Sequence, residues 1–176
     1  IYDEDFAHDG DPPEGWTVEE PWDVIEGDAT DWLLGINGEF TPEVQAVVTS
    51  PVIDCRYYTD VGISLWSDYY DDATVGDDAA HGGFIEYSVN GDEDWEGTQL
   101  FHLEGTQSET FLNLLIPDAC ASPDVPNEEE TVQVRFRFDK EIFSSGDYWK
   151  IDDVALYGIF TDSLPPTDIS DLAAEN

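Results

Sequence analysis

The run Asp147-Tyr148-Trp149-Lys150-Ile151-Asp152-Asp153-Val154-Ala155-Leu156-Tyr157-Gly158 sets two adjacent carboxylates among β-branched and aromatic residues. A strand turns alternate side chains to opposite faces, so one of Asp152 and Asp153 points to the apolar side, where an unpaired carboxylate is costly. Backbone N–H groups, a basic side chain or a metal ion could satisfy it. Calcium takes six to eight oxygens in flexible geometry, which bunched or alternating carboxylates can supply. Two groups of acids fit that demand. Asp3 and Asp5 of the opening segment would join Asp152 and Asp153 if the first and last strands pair, giving a Ca²⁺ site. Asp68, Asp71, Asp72, Asp77 and Asp78, in a loop between strands, form a second metal candidate. Hydrogen-bonded carboxylates at strand ends and a solvated acidic loop are the alternatives.

Other chemistry is hard to find. The calcium-loop register is absent, and His8, His81 and His102 lack zinc-site spacing, so they read as surface or loop residues. No Gly-x-Ser-x-Gly occurs, and neither cysteine lies near a histidine in sequence. Asp92-Glu93-Asp94-Trp95-Glu96 follows Asn90-Gly91 and reads as a hairpin tip rather than a glycosidase carboxylate pair. The chain is therefore expected not to be an enzyme. Recognition would fall to aromatic rings in or beside loops, where sugar rings can stack: Trp22, Trp66, Tyr69, Tyr70 and Trp95. Trp16, Trp32 and Trp149 read as core. Arg135 and Arg137, on one polar strand face, are expected to pair with carboxylates such as Glu86.

Charge narrows the partners. With 5 basic and 42 acidic residues the formal charge is −37, and no basic patch for nucleic acid can form. No apolar run approaches the roughly 20 residues that a membrane-spanning helix needs. Yet 40% of residues are hydrophobic and 13% aromatic, enough for a packed core rather than a disordered chain. Salt or divalent cations would offset the repulsion within so acidic a molecule. In an exported protein Cys55 and Cys120, each beside a predicted strand end, would form a disulfide, with two buried thiols as the alternative. A chain that starts at Ile1 and lacks methionine is expected to be part of a larger product.

The positioning elements are strands. Val132, Val134, Phe136 and Phe138 alternate with polar residues, marking a half-buried strand. Similar runs cover 44–48, 61–66, 84–89, 100–103, 110–115 and 149–157, with 2–6 opening the domain. Gly- and Asp-rich turns separate them, as in an antiparallel sandwich or barrel. After Gly158 the composition changes to a linker, Thr161-Asp162-Ser163-Leu164-Pro165-Pro166.

Four segments stand in a suggestive order: Tyr2-Asp3-Glu4-Asp5-Phe6, Pro13-Glu14-Gly15-Trp16, Ser50-Pro51-Val52-Ile53 and Trp149-Lys150-Ile151-Asp152-Asp153-Val154. Together with 86–95 they resemble the bacterial MAM-like jelly rolls of the cleaved adhesin and choice-of-anchor type. The resemblance covers about residues 1–160. It implies an extracellular, noncatalytic, antiparallel jelly-roll β-sandwich, often holding structural calcium and serving adhesion or carbohydrate binding in a secreted or surface protein. A glycan or a surface protein would be the ligand. The family's opening Asp-Phe-Glu reads Asp5-Phe6-Ala7 here, so an opening metal site would be weakened or rebuilt from Asp3 and Glu4. Residues 161–176, with Ile169-Ser170-Asp171-Leu172 after the double proline, look like a linker and the start of a fibronectin type III domain. The competing expectation is a purely structural subunit or spacer of a surface layer or filament, with self-assembly through edge strands.

Overall fold

The computed structural model describes residues 2–4, 11–26, 32–37, 44–71, 81–89, 95, 99–117, 119, 131–140 and 146–160; for Glu26, Trp32, Asn37 and Val44 it describes the backbone alone. Residues 161–176, expected to be a linker and the start of a fibronectin type III domain, lie outside this set. Among the described residues twelve strands make an antiparallel jelly-roll β-sandwich.

Alternation builds both sheets. β11 (Thr131–Lys140) buries Val132, Val134, Phe136 and Phe138 and turns Gln133, Arg135 and Arg137 outward, the pattern of a strand with one face on the core. It is flanked by β5 (Val44–Thr49) and β8 (Gly82–Val89), with β2 (Thr17–Val18) and β9 (Gln99–Leu103) beyond them; β6 (Ile53–Asp54) also pairs with β11. In the other sheet β7 (Tyr58–Tyr70) lies between β10 (Gln107–Leu115) and β12 (Tyr148–Phe160), followed by β4 (Trp32–Asn37) and β3 (Asp23–Glu26). β1 (Tyr2–Glu4) pairs with β12 as well, Asp3 opposite Ala155, so the first and last strands do meet.

The core closes around Trp149. Its ring meets Trp22 at 5.3 Å, Tyr69 at 6.0 Å and Phe136 at 6.0 Å, and its Nε1 donates to Ser67 Oγ at 3.0 Å. Trp22 is thus a core residue, its Nε1 donating to the Ala46 carbonyl, and Tyr69 is fully buried. Their expected exposure is corrected: both belong to the inward series, where ring area is better spent on packing.

The adjacent carboxylates of β12 turn out to mark a change of partner. β12 pairs with β4 through Tyr148–Ile151 and with β1 through Val154–Leu156, and its register against β7 shifts between Asp152 and Ala155. One extra residue sits in that bulge, and Asp153 adopts φ +50, a left-handed conformation that Asp tolerates better than most residues. The Asp153 N–H donates to Asp152 Oδ1 at 2.8 Å. A backbone donor therefore supplies part of what the buried Asp152 carboxylate needs, while Asp153 faces solvent.

Candidate functional site

Among the described residues the acids do not converge as a metal centre. Asp3 is exposed, whereas its neighbour Glu4 turns inward and accepts from the Tyr2 hydroxyl at 3.1 Å, which in turn accepts from Trp16 Nε1 at 2.7 Å. Among the described residues no group of three or more His, Cys, Asp or Glu side chains is arranged to hold a metal ion. Asp5 lies outside them. Of the second cluster, Asp72, Asp77 and Asp78 also lie outside. Its two described members, Asp68 on β7 and Asp71 one residue past its end, are buried and have partners of their own. Asp68 accepts from the Glu109 N–H at 3.4 Å and the Tyr148 hydroxyl at 3.5 Å, and Asp71 is paired with Lys140.

The scarce basic residues are mostly consumed by such pairs. Glu86 on β8 lies opposite Arg135 and bonds Arg135 Nη2 at 2.6 Å and Arg137 Nε at 3.1 Å, as their shared face predicts. Arg137 also covers the Phe84 ring at 3.9 Å, and His102 stacks on the same ring at 4.3 Å. Trp95 stands on this sheet beneath the Arg135 guanidinium, 4.4 Å away, half-buried by it. Arg56 pairs with Asp54. Among the described residues Lys150 is the one basic side chain without an ion pair; its ammonium lies over the Tyr148 ring at 5.2 Å.

Lys150 belongs to the outer face of the β10–β7–β12 sheet, where the sandwich presents its aromatic surface. Register fixes the rows of this face. Tyr70 lies opposite Tyr148, Asp68 opposite Lys150, Trp66 opposite both Phe111 and Asp152, Ser64 opposite Asn113 and Ala155, and Gly62 opposite Leu115 and Tyr157. The Tyr70 and Tyr148 rings stack at 5.8 Å. At the other end Tyr157 crosses Gly62, whose absent side chain makes room: a Cβ there would lie 2.5 Å from the Tyr157 hydroxyl oxygen. Phe111 is 66% exposed, Trp66 is half-buried, and Tyr157 is 36% exposed. From Tyr70 to Gly62 the strand runs about 26 Å at about 3.3 Å per residue. Aromatic rings thus stand at both ends and at the middle of the face, with Asp68, Lys150, Ser64 and Asn113 between them.

Of the aromatics expected to bind, Trp66 and Tyr70 are on this face; Trp22, Tyr69 and Trp95 are not. Phe111, Tyr148 and Tyr157 were not anticipated. Consecutive apolar residues such as Phe111-Leu112 conceal which one faces outward until the pairing with β7 is known, although simple alternation from Trp149 would have set Tyr148 outside.

Solved structures with this architecture include the K3 cleaved adhesin domain of Lys-gingipain from Porphyromonas gingivalis W83, at TM-score 0.54 and 12% identity, over 90% of this chain and 99% of that one. The K1 cleaved adhesin domain of the same protein superposes at TM-score 0.53 and 15% identity, over 89% and 97%. The chain has a cleaved-adhesin-like jelly-roll fold. A more distant likeness, at TM-score 0.49 and 11% identity over 91% and 94%, is to the CBM22-1 xylan-binding domain of Paenibacillus barcinonensis Xyn10C. No family model matches the sequence, and no curated protein does.

Proposed function

We propose that the cleaved-adhesin-like domain is a noncatalytic, extracellular carbohydrate-binding or adhesion module. The observation that carries this reading is the aromatic outer face of the β10–β7–β12 sheet. The apolar face of a pyranose ring stacks on an aromatic side chain, and its equatorial hydroxyls seek donors and acceptors at the ring edge, so alternating rings and polar groups suit an extended saccharide. Trp66 and Phe111 form the central platform. Tyr148 with Tyr70, and Tyr157 at the far end, extend it, while Lys150 Nζ donates and Asp68 and Asn113 accept.

The net charge selects among glycans. A molecule at −37 repels a polyanion over its whole surface, so the ligand is a neutral polysaccharide. Binding should be confined to neutral probes on a glycan array. Trp66→Ala and Phe111→Ala should each weaken it by about 2 kcal/mol, about thirtyfold, with the melting temperature little changed at the exposed Phe111. Unaltered binding in both variants would remove the face from the proposal.

Calcium stabilisation and a Cys55–Cys120 bridge belong to the same proposal. Support for calcium is the pairing of β1 with β12, which brings Asp3 near the Asp152–Asp153 bulge. Cys55 is fully buried and is not a free thiol; Cys120 lies outside the described residues. A second reading, a structural spacer or self-assembling subunit, has one observation in its favour. Ile159 and Phe160 are 60% and 63% exposed at the end of β12 and offer an apolar contact.

A further inference from the structure

Three charged side chains occupy inward-facing positions at one end of the sandwich. Lys140 ends the inward series of β11, two residues past Phe138; Asp71 lies one residue beyond β7, in step with Tyr69, and Asp147 one residue before β12, in step with Trp149. Their side chains are 1%, 4% and 0% exposed. Lys140 Nζ donates to Asp71 Oδ1 and, at 2.9 Å, to Asp147 Oδ2. The second oxygen of Asp71 accepts from the Tyr69 hydroxyl at 3.2 Å. Around them the Tyr69 ring lies 6.0 Å from Trp149 and 6.3 Å from Phe138, an aromatic wall.

We propose that this is a self-processing cross-link site, in which Lys140 Nζ condenses with Asp71 Cγ to form an isopeptide bond between the two sheets. Burial alone would release the Lys140 proton; the two carboxylates outweigh it and keep the ammonium the ground state. Transfer of a proton from Nζ to Asp71 gives a neutral amine and a neutral carboxylic acid, the form that a low-dielectric site tolerates best. The amine lone pair then attacks Cγ. Negative charge developing on Asp71 Oδ2 is met by the Tyr69 hydroxyl, which is already aimed at it. Asp147 takes the second proton from Nζ and delivers it to Oδ1, which leaves as water as the C–O bond breaks. The ammonium and carboxylate become one amide and one water, so the step needs no oxidant or co-reactant. Fixed proximity makes it unimolecular, and exclusion of bulk water disfavours the reverse. Asp71 is the electrophile because Tyr69 polarises it, and Asp147 the proton carrier because it holds Nζ from its other side.

Intact-mass measurement on the full chain, folded, matured, then denatured and reduced, decides the matter. The expected mass is that of the sequence less one water, and proteolysis should release a branched peptide joining Lys140 to Asp71. Asp71→Ala and Lys140→Arg should restore the full mass of their sequences, and Asp147→Asn should do so with both bonding partners still present. Where a variant fails to fold, the branched peptide of the wild-type chain answers alone. A folded wild-type chain at full sequence mass would overturn the proposal and leave a buried ion group. A water loss that survives Asp71→Ala would overturn it equally.

Discussion

Glu86 holds the guanidinium groups of both Arg135 and Arg137, so Glu86→Ala should destabilise the domain by about 1–3 kcal/mol, measurable by chemical denaturation. The loss comes mainly from leaving the Arg135 guanidinium over Trp95 without its carboxylate, since Arg137 keeps Asp139 at 2.7 Å; partial exposure keeps it below the value for a fully buried pair. This contact was legible in the sequence, because period-two alternation puts both arginines on one face. The same rule carried two residues further would have revealed Lys140 as an inward lysine. Lysines usually stay exposed, but the alternation of this strand places Lys140 inward. Asp71 was legible as an acid near a strand end but not as a core residue, since its neutralising partner lies on another sheet.

β11, with its strict alternation, could be read directly. β3 and β4 could not: Leu33-Leu34-Gly35-Ile36 is a continuous apolar run, and only packing of Ile25 and Leu33 over Gly35 on the outer face explains it. The bulge in β12 likewise depends on its two partners along one edge, information absent from local sequence. That strand also supports a pH prediction. Burial, with Asp68 adding repulsion, raises the Tyr148 phenol, and burial and Glu4 raise Tyr2 against the lowering effect of the Trp16 hydrogen bond. The unfolded phenols titrate near pH 10, so the folded chain retains these protons to higher pH. Their stabilising contribution is complete below about pH 10 and is lost as pH rises through the raised folded values. Ultraviolet titration of phenolate should place Tyr2 and Tyr148 among the late-ionising tyrosines, and Tyr148→Phe should remove one late step and flatten the alkaline fall in stability.

For the molecule as a whole, a charge of −37 opposes compaction, and raising salt from 0.1 M to 1 M shortens the screening length from about 10 Å to about 3 Å. The melting temperature should rise accordingly. If a calcium site links the opening and closing strands, calcium should raise it further than sodium at equal ionic strength, through a stabilisation of about 2.7 kcal/mol at a hundredfold excess over the dissociation constant. Asp152→Asn should shrink that difference; equal effects of the two salts would reduce the role of calcium to screening. The most direct test of glycan recognition is chemical-shift mapping of the ¹⁵N-labelled domain with a neutral oligosaccharide retained on the array. Perturbations are predicted at Trp66, Tyr70, Phe111, Tyr148, Lys150 and Tyr157, including the Trp66 indole N–H. Perturbations centred instead on Phe84, Trp95 and Arg135, or no neutral glycan bound at all, would contradict the assignment of this face.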